Sequence, residues 1–125
     1  MADNQNEIKY NLILEFVNKI LSFNNCPNIT NLLDFKDVPR ETMISDECLK
    51  FTEEMENDVF KYFDKNKSGY VNKKRSIKTY PLNFLRGLLR QINYELINRT
   101  DERSEKINGR GYRRKWIFYS IKQNE

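Results

Sequence analysis

PLNFLRGLLRQINYELINRTDERSEKINGRGYRRKWIFYSIK, residues 81–122, decides the fold. Proline suits a first helical position, because its ring presets φ and its missing N–H would have no partner there. After Pro81, residues Leu82, Leu85, Leu88, Leu89, Ile92 and Leu96 recur at helical spacing, so an amphipathic helix is expected to about Asn93 or Leu96. Lys115–Lys122 reads KWIFYSIK, aromatic and β-branched, which is strand composition. Tyr94–Arg99, YELINR, offers an antiparallel partner. Between them lies a basic stretch with Asn108-Gly109 and Gly111, read here as a loop. Helix, strand, basic loop, strand makes the C-terminal part α+β.

Upstream the pattern is helical. Ile8, Leu12, Phe16, Val17, Ile20, Leu21 and Phe23 form a wide apolar face on a helix from Glu7 to Phe23, broadened by Ile13 and Leu14. Asn24-Asn25-Cys26-Pro27 stops it, since Asn tolerates a left-handed cap and Pro cannot continue a helix. Asn28 is expected to cap a short helix with Ile29, Leu32 and Leu33 inward, and Phe35–Arg40, with Pro39, to be a connector. Ser45 or Asp46 caps a helix to about Phe63. Its buried stripe is Cys48, Phe51, Met55, Val59 and Tyr62, which leaves Asp46, Glu47, Glu53, Glu54, Glu56 and Asp58 on the solvent side. Lys65–Thr79, KNKSGYVNKKRSIKT, is a basic loop with a short strand near Tyr70-Val71. The expectation is one domain over 1–125. An acidic helical part (1–63) leads through a basic connector (64–80) to a basic helix and hairpin (81–125). In fold class it is α+β, three to four helices followed by a C-terminal β-hairpin.

The overall charge of +4 conceals an asymmetry. Residues 1–60 hold 5 Lys/Arg against 12 Asp/Glu, a net of −7, and residues 61–125 hold 17 against 6, a net of +11. A concentrated basic half is the electrostatic footprint of a polyanion binder. On the Pro81 helix, Asn83, Arg86, Arg90 and Asn93 fall at i, i+3, i+7 and i+10, roughly one face opposite the leucines. Arg and Asn are the side chains suited to bidentate contact with guanine and adenine edges. The stretch that follows carries Arg99, Arg103, Lys106, Arg110, Arg113, Arg114 and Lys115, placed to lie along phosphates or to enter the minor groove.

Over Pro81–Ile121 this arrangement resembles a winged helix–turn–helix, in which a recognition helix is followed by a two-stranded wing that touches DNA. The connector of about 15 residues before Pro81 departs from the 3–4-residue turn of a helix-turn-helix. The resemblance implies a winged-helix-like DNA-binding protein. Lys73, Lys74, Arg75, Arg113, Arg114 and Lys115 would hold phosphates, Asn83, Arg86 and Arg90 would read bases, and Arg110 would join the DNA-binding surface from the hairpin loop. About six phosphate contacts imply a slope near −5 for log K against log salt. Two alternatives fit the same asymmetry. One is a protein-interaction module whose charged halves meet a partner or a second copy. The other is an RNA or single-strand binder stacking bases on exposed rings among Tyr112, Trp116, Phe118 and Tyr119.

Other chemistry is disfavoured. The chain has no His, no P-loop and no G-x-S-x-G, so no enzyme and no cofactor is expected. Asp64–Arg75 resembles an EF-hand loop through position 9, with Asp64, Asn66 and Ser68 at positions 1, 3 and 5 and Gly69 at 6. Position 12 is Arg75 rather than a bidentate Glu, and five basic residues face one acid, so no metal is expected. Cys26 and Cys48 lack metal-ligand spacing and are expected to be buried thiols of a reducing compartment. MADNQNEIKY carries no signal-peptide pattern and no apolar run is long enough to span a membrane, so an intracellular protein is expected, with neither a membrane nor a small molecule as partner. Sixteen Asn and a single Ala point to an AT-rich genome, such as that of a large DNA virus, with some bacteria and some parasites also fitting. A viral chain would act in the cytoplasm or nucleus of its host.

Overall fold

The structure, a computed structural model, describes residues 2–124, apart from the side chains of residues 2–4, 103, 105, 107 and 112–114. It is α+β: helices α1 (Ala2–Phe23), α2 (Asp46–Val59) and α3 (Tyr80–Arg90) pack with strands β1 (Val38–Pro39), β2 (Tyr94–Ile107) and β3 (Arg110–Gln123). The sheet is antiparallel, in the order β1-β3-β2.

Two helix ends are closed by caps that the sequence provides. Asn25 closes α1 with φ 57°, Cys26 N–H reaches Leu21 O at 3.0 Å and Asn25 N–H reaches Ser22 O at 3.2 Å, the paired bonds of a Schellman motif. Ser45 caps α2, its side chain accepting from Cys48 N–H at 3.2 Å. Pro81 sits in the first turn of α3, as its chemistry requires. The short α3 is the central helix. Eight of its 11 residues are buried, and Phe84 meets Phe16 at 5.3 Å, Tyr80 at 5.6 Å and Phe60 at 5.9 Å between ring centroids. One core joins Ile13, Phe16, Val17 and Ile20 of α1 to Cys48, Met55 and Val59 of α2, the α3 leucines, and Leu96, Tyr119 and Ile121 of the sheet.

Several local expectations are corrected. The helix expected from Asn28 is a single 3-10 turn, Leu32–Asp34, capped by the Asn31 side chain. The connector around Pro39 contributes β1, pairing Val38 with Tyr119 and Pro39 with Phe118. Proline is tolerated because this strand lies at the sheet edge. The second helix stops at Val59 rather than Phe63, which leaves Tyr62 exposed while Phe63 stays buried. Tyr70–Asn72 is a 3-10 turn, not a strand. Cys48 is buried but Cys26 is exposed.

The largest difference concerns the basic loop, which is strand. Fourteen residues of β2 pair with fourteen of β3 through one two-residue turn, Asn108-Gly109. Both turn residues are left-handed, φ 54° and 79°, the geometry that continues the strand twist without splaying the hairpin. The Asn-Gly signal therefore overrode the low β-propensity of the charged residues around it.

Candidate nucleic-acid interface

The side chains expected to read bases line a groove, Asn83 and Arg86 half-buried in it and Arg90 exposed. Gly87 is the reason. A Cβ at Gly87 would stand 2.3 Å from Lys67 O and 2.5 Å from Ser68 Cα, so only glycine lets the 64–72 loop rest on the α3 backbone. Further along the loop, Gly69, with φ 79°, lies against the Asn83 backbone, one turn earlier on α3. Gln91 anchors the loop's start, accepting from Asp64 N–H at 2.7 Å and donating to Asp64 O at 3.3 Å. Asp64 in turn accepts from Asn66 N–H at 3.0 Å, so the EF-hand-like residues serve a tight capped turn. Among the described residues no group of three metal-ligating side chains occurs.

Between this loop and α3 runs an open groove of about 630 Å³. Arg86 and Arg90 line it from α3, together with Asn83. Lys67, Asn66 and Asn72 line it from the loop. Arg86 Nη1 donates to Asn83 Oδ1 at 3.1 Å, which sets its orientation. Among the described residues neither arginine has a carboxylate within 4 Å. Asn93 does not join this face. α3 has ended, Asn93 turns the chain with φ 65°, and its side chain donates to Asn124 O at 2.9 Å at the hairpin base.

Lys73 departs from its expected role on the basic face. Its Nζ lies 2.7 Å from Glu53 Oε2 and 3.3 Å from Glu56 Oε2, with the Tyr80 ring 5.1 Å away. Burial alone would lower its pKa, but the two glutamates outweigh burial and raise it. Tyr80, 1% exposed, donates its hydroxyl to Glu56 Oε2 at 2.6 Å. Burial and that carboxylate push the hydroxyl far above the ordinary tyrosine range. Glu56 is thus not a solvated helix acid but the acceptor at the centre of a cluster that ties α2 to the loop and to α3. The neighbouring Lys74 and Arg75 are not held in this cluster, and Lys74 is exposed.

The remaining candidates ride on the hairpin. Arg110 is exposed beside the turn, and Lys115 sits opposite Glu102, with Nζ 3.4 Å from Oε1. Arg113 and Arg114 have backbones in β3 opposite Ser104 and Arg103, and their side chains lie outside the described residues. Arg99 is bound within the molecule, at 2.9 Å from Asp37 and 3.0 Å from Asp101, its guanidinium 4.5 Å from the centre of the Phe118 ring. The register sends Tyr119 and Ile121 to the core, while Trp116 and Phe118 stay partly exposed. Tyr112, the other ring considered for stacking, has its side chain outside the described residues.

Two of these features had a sequence signal. An isolated glycine inside a helical pattern, Gly87, marks a close backbone approach, and Asn108-Gly109 marks a two-residue turn. The Lys73 cluster had none, since it depends on how three separate elements meet. Compared with known protein families, with curated proteins and with solved structures, the chain finds no match. No helix among the described residues is long and apolar enough to cross a membrane.

Proposed function

We propose that this protein binds duplex DNA, with the β2–β3 ribbon entering the major groove and α3 supporting it through phosphate contacts. One observation carries the reading. Beyond the last rung shared with β1, the hairpin continues through Thr100↔Ile117 to Ile107↔Arg110, eight rungs that no third strand covers among the described residues. At the usual rise of a strand this is an arm of roughly 25 Å. The major groove, about 12 Å wide, admits such a two-stranded ribbon. An arm of this kind adds little to folding, because an isolated hairpin is marginal by itself. Residues 100–117 hold 6 Lys/Arg against 3 Asp/Glu, the excess expected at a phosphate surface. The order of three helices and then a hairpin supports the winged-helix likeness. The loop resting on Asn83–Gly87 gives Arg86 and Arg90 a phosphate-holding role and moves base reading to the ribbon.

Fluorescence anisotropy with labelled duplex DNA, single-stranded DNA and RNA, at about 50 and 200 mM salt, tests this. The expected result is duplex-preferring binding that weakens with salt. Absence of duplex binding at the lower salt overturns the reading. Preference for a single strand moves the interface to the ribbon's rings.

A protein-interaction role is favoured by one separate observation. Lys73 with Glu53 and Glu56, and Arg99 with Asp37, join the basic half to the acidic half inside one molecule. The same charges can meet between copies. Concentration-dependent mass in light scattering, together with no nucleic-acid binding, is the outcome that reading requires.

A further inference from the structure

We propose that the groove between the 64–72 loop and α3 is a discrete binding site for a phosphate oxyanion. The proposal does not depend on the ribbon, because it rests on a different set of groups. Arg86 and Arg90 are one helical turn apart and both line the groove, and Lys67 lines it from the loop side. Among the described residues none of the three has a carboxylate within 4 Å and no acidic side chain lines the groove. The other cations of this region differ. Lys73 is held by two glutamates, and Lys65 lies 4.0 Å over the Tyr70 ring. Two of the loop's cations are thus engaged internally, whereas Lys67, on the groove side, has no carboxylate partner among the described residues.

The lining also selects among anions. Guanidinium forks match phosphate and carboxylate oxygens bidentately. Asn66, Asn72 and Asn83 add neutral amide donors. Among the described residues no aromatic ring lines the groove, so they offer no platform for a base. The ligand chemistry it fits is therefore the phosphate itself, from either a phosphodiester backbone or a free phosphorylated small molecule. Its size, about 630 Å³, falls in the range of small-ligand clefts. The site is pre-formed, because Gly87 fixes how closely the loop approaches and Asn83 orients Arg86.

The test uses the whole chain and two probes, inorganic pyrophosphate by calorimetry and a labelled duplex by anisotropy. The variants are Arg86→Gln with Arg90→Gln and, as a milder one, the exposed Lys67→Gln. Lys36→Gln with Lys78→Gln is the control, removing equal charge outside the groove. Circular dichroism confirms that each is folded. The groove variants are expected to weaken at least one probe by about tenfold or more, the size of a lost charge-assisted hydrogen bond, while the control stays near wild type. Loss of duplex affinity together with competition by pyrophosphate identifies the phosphodiester as occupant. Loss of pyrophosphate binding with duplex affinity unchanged identifies a free phosphorylated ligand. The proposal is overturned if neither probe responds to the groove variants more than to the control. Failure of duplex binding alone, with pyrophosphate still bound, removes the DNA reading and leaves this one standing.

Discussion

Lys73 lies 2.7 Å from Glu53 and 3.3 Å from Glu56, and that pairing decides what the residue does. Its side chain is 20% exposed and that of Glu56 16%, so removing the ammonium leaves a carboxylate poorly solvated. Lys73→Ala is expected to cost about 1–3 kcal/mol in urea unfolding and to leave duplex affinity nearly unchanged. Lys74→Ala, on an exposed neighbour, should do the reverse. A second consequence is pH dependence. Lys73, Tyr80 and Cys48 all have folded pKa values raised above their ordinary 10.5, 10.0 and 9.0. The folded chain then holds protons that the unfolded chain releases, so their contribution is complete below about pH 9 and is lost as pH rises through the folded values. Melting temperatures should fall on the alkaline side, and Tyr80→Phe should flatten that fall. An undiminished slope in Tyr80→Phe would assign the effect to the other two groups.

At the scale of elements, the 64–79 loop and the hairpin each turn on a glycine, for different reasons. Gly87 is a matter of space. A methyl there meets Lys67 O at 2.3 Å, so Gly87→Ala must lift the loop from α3. The expected cost is about 1–3 kcal/mol, the range of overpacking, with a loss of groove-dependent anion binding that calorimetry would register. Gly109 is a matter of backbone. It has φ 79°, and a methyl added there would find nothing within 4 Å among the described residues, so Gly109→Ala acts by straining the turn. That should cost about 1 kcal/mol and leave the groove untouched. The hairpin also shows why a charged stretch read as a loop becomes strand. Lys115–Glu102 and Lys122–Glu95 face each other across the ladder, and opposite charges on facing rungs stabilise a sheet.

At the scale of the molecule, the core and the arm are separable. Among the described residues the buried cluster draws on β2 and β3 at Leu96, Tyr119 and Ile121, below the free rungs, with half-buried Ile117 of the first free rung packed against it. Removing residues 102–105 and 112–115 shortens the arm by four rungs and preserves the side-to-side alternation. Its expected outcome is a near-native thermal transition with duplex affinity reduced at least about tenfold, the effect of losing several phosphate contacts. An unchanged affinity would move the interface to α3 and its groove. With Lys73 bound internally and Arg86 and Arg90 assigned to phosphates, about seven contacts replace the six expected from sequence, so the expected salt slope is about −6.

What the amino-acid sequence determined by itself was local and periodic. The apolar stripes of α1, α2 and α3, the caps at Asn25 and Ser45, the position of Pro81 and the α+β class all follow from interactions within a few residues. So does the split of charge between the halves. The tertiary structure alone decided which charges remain available. Whether Lys73 meets a glutamate, whether Arg86 faces solvent or a groove, and whether Val38 pairs with Tyr119 depend on elements far apart in sequence. Such contacts are selected by packing against one shared core, and that selection has no signature in the spacing of neighbouring residues.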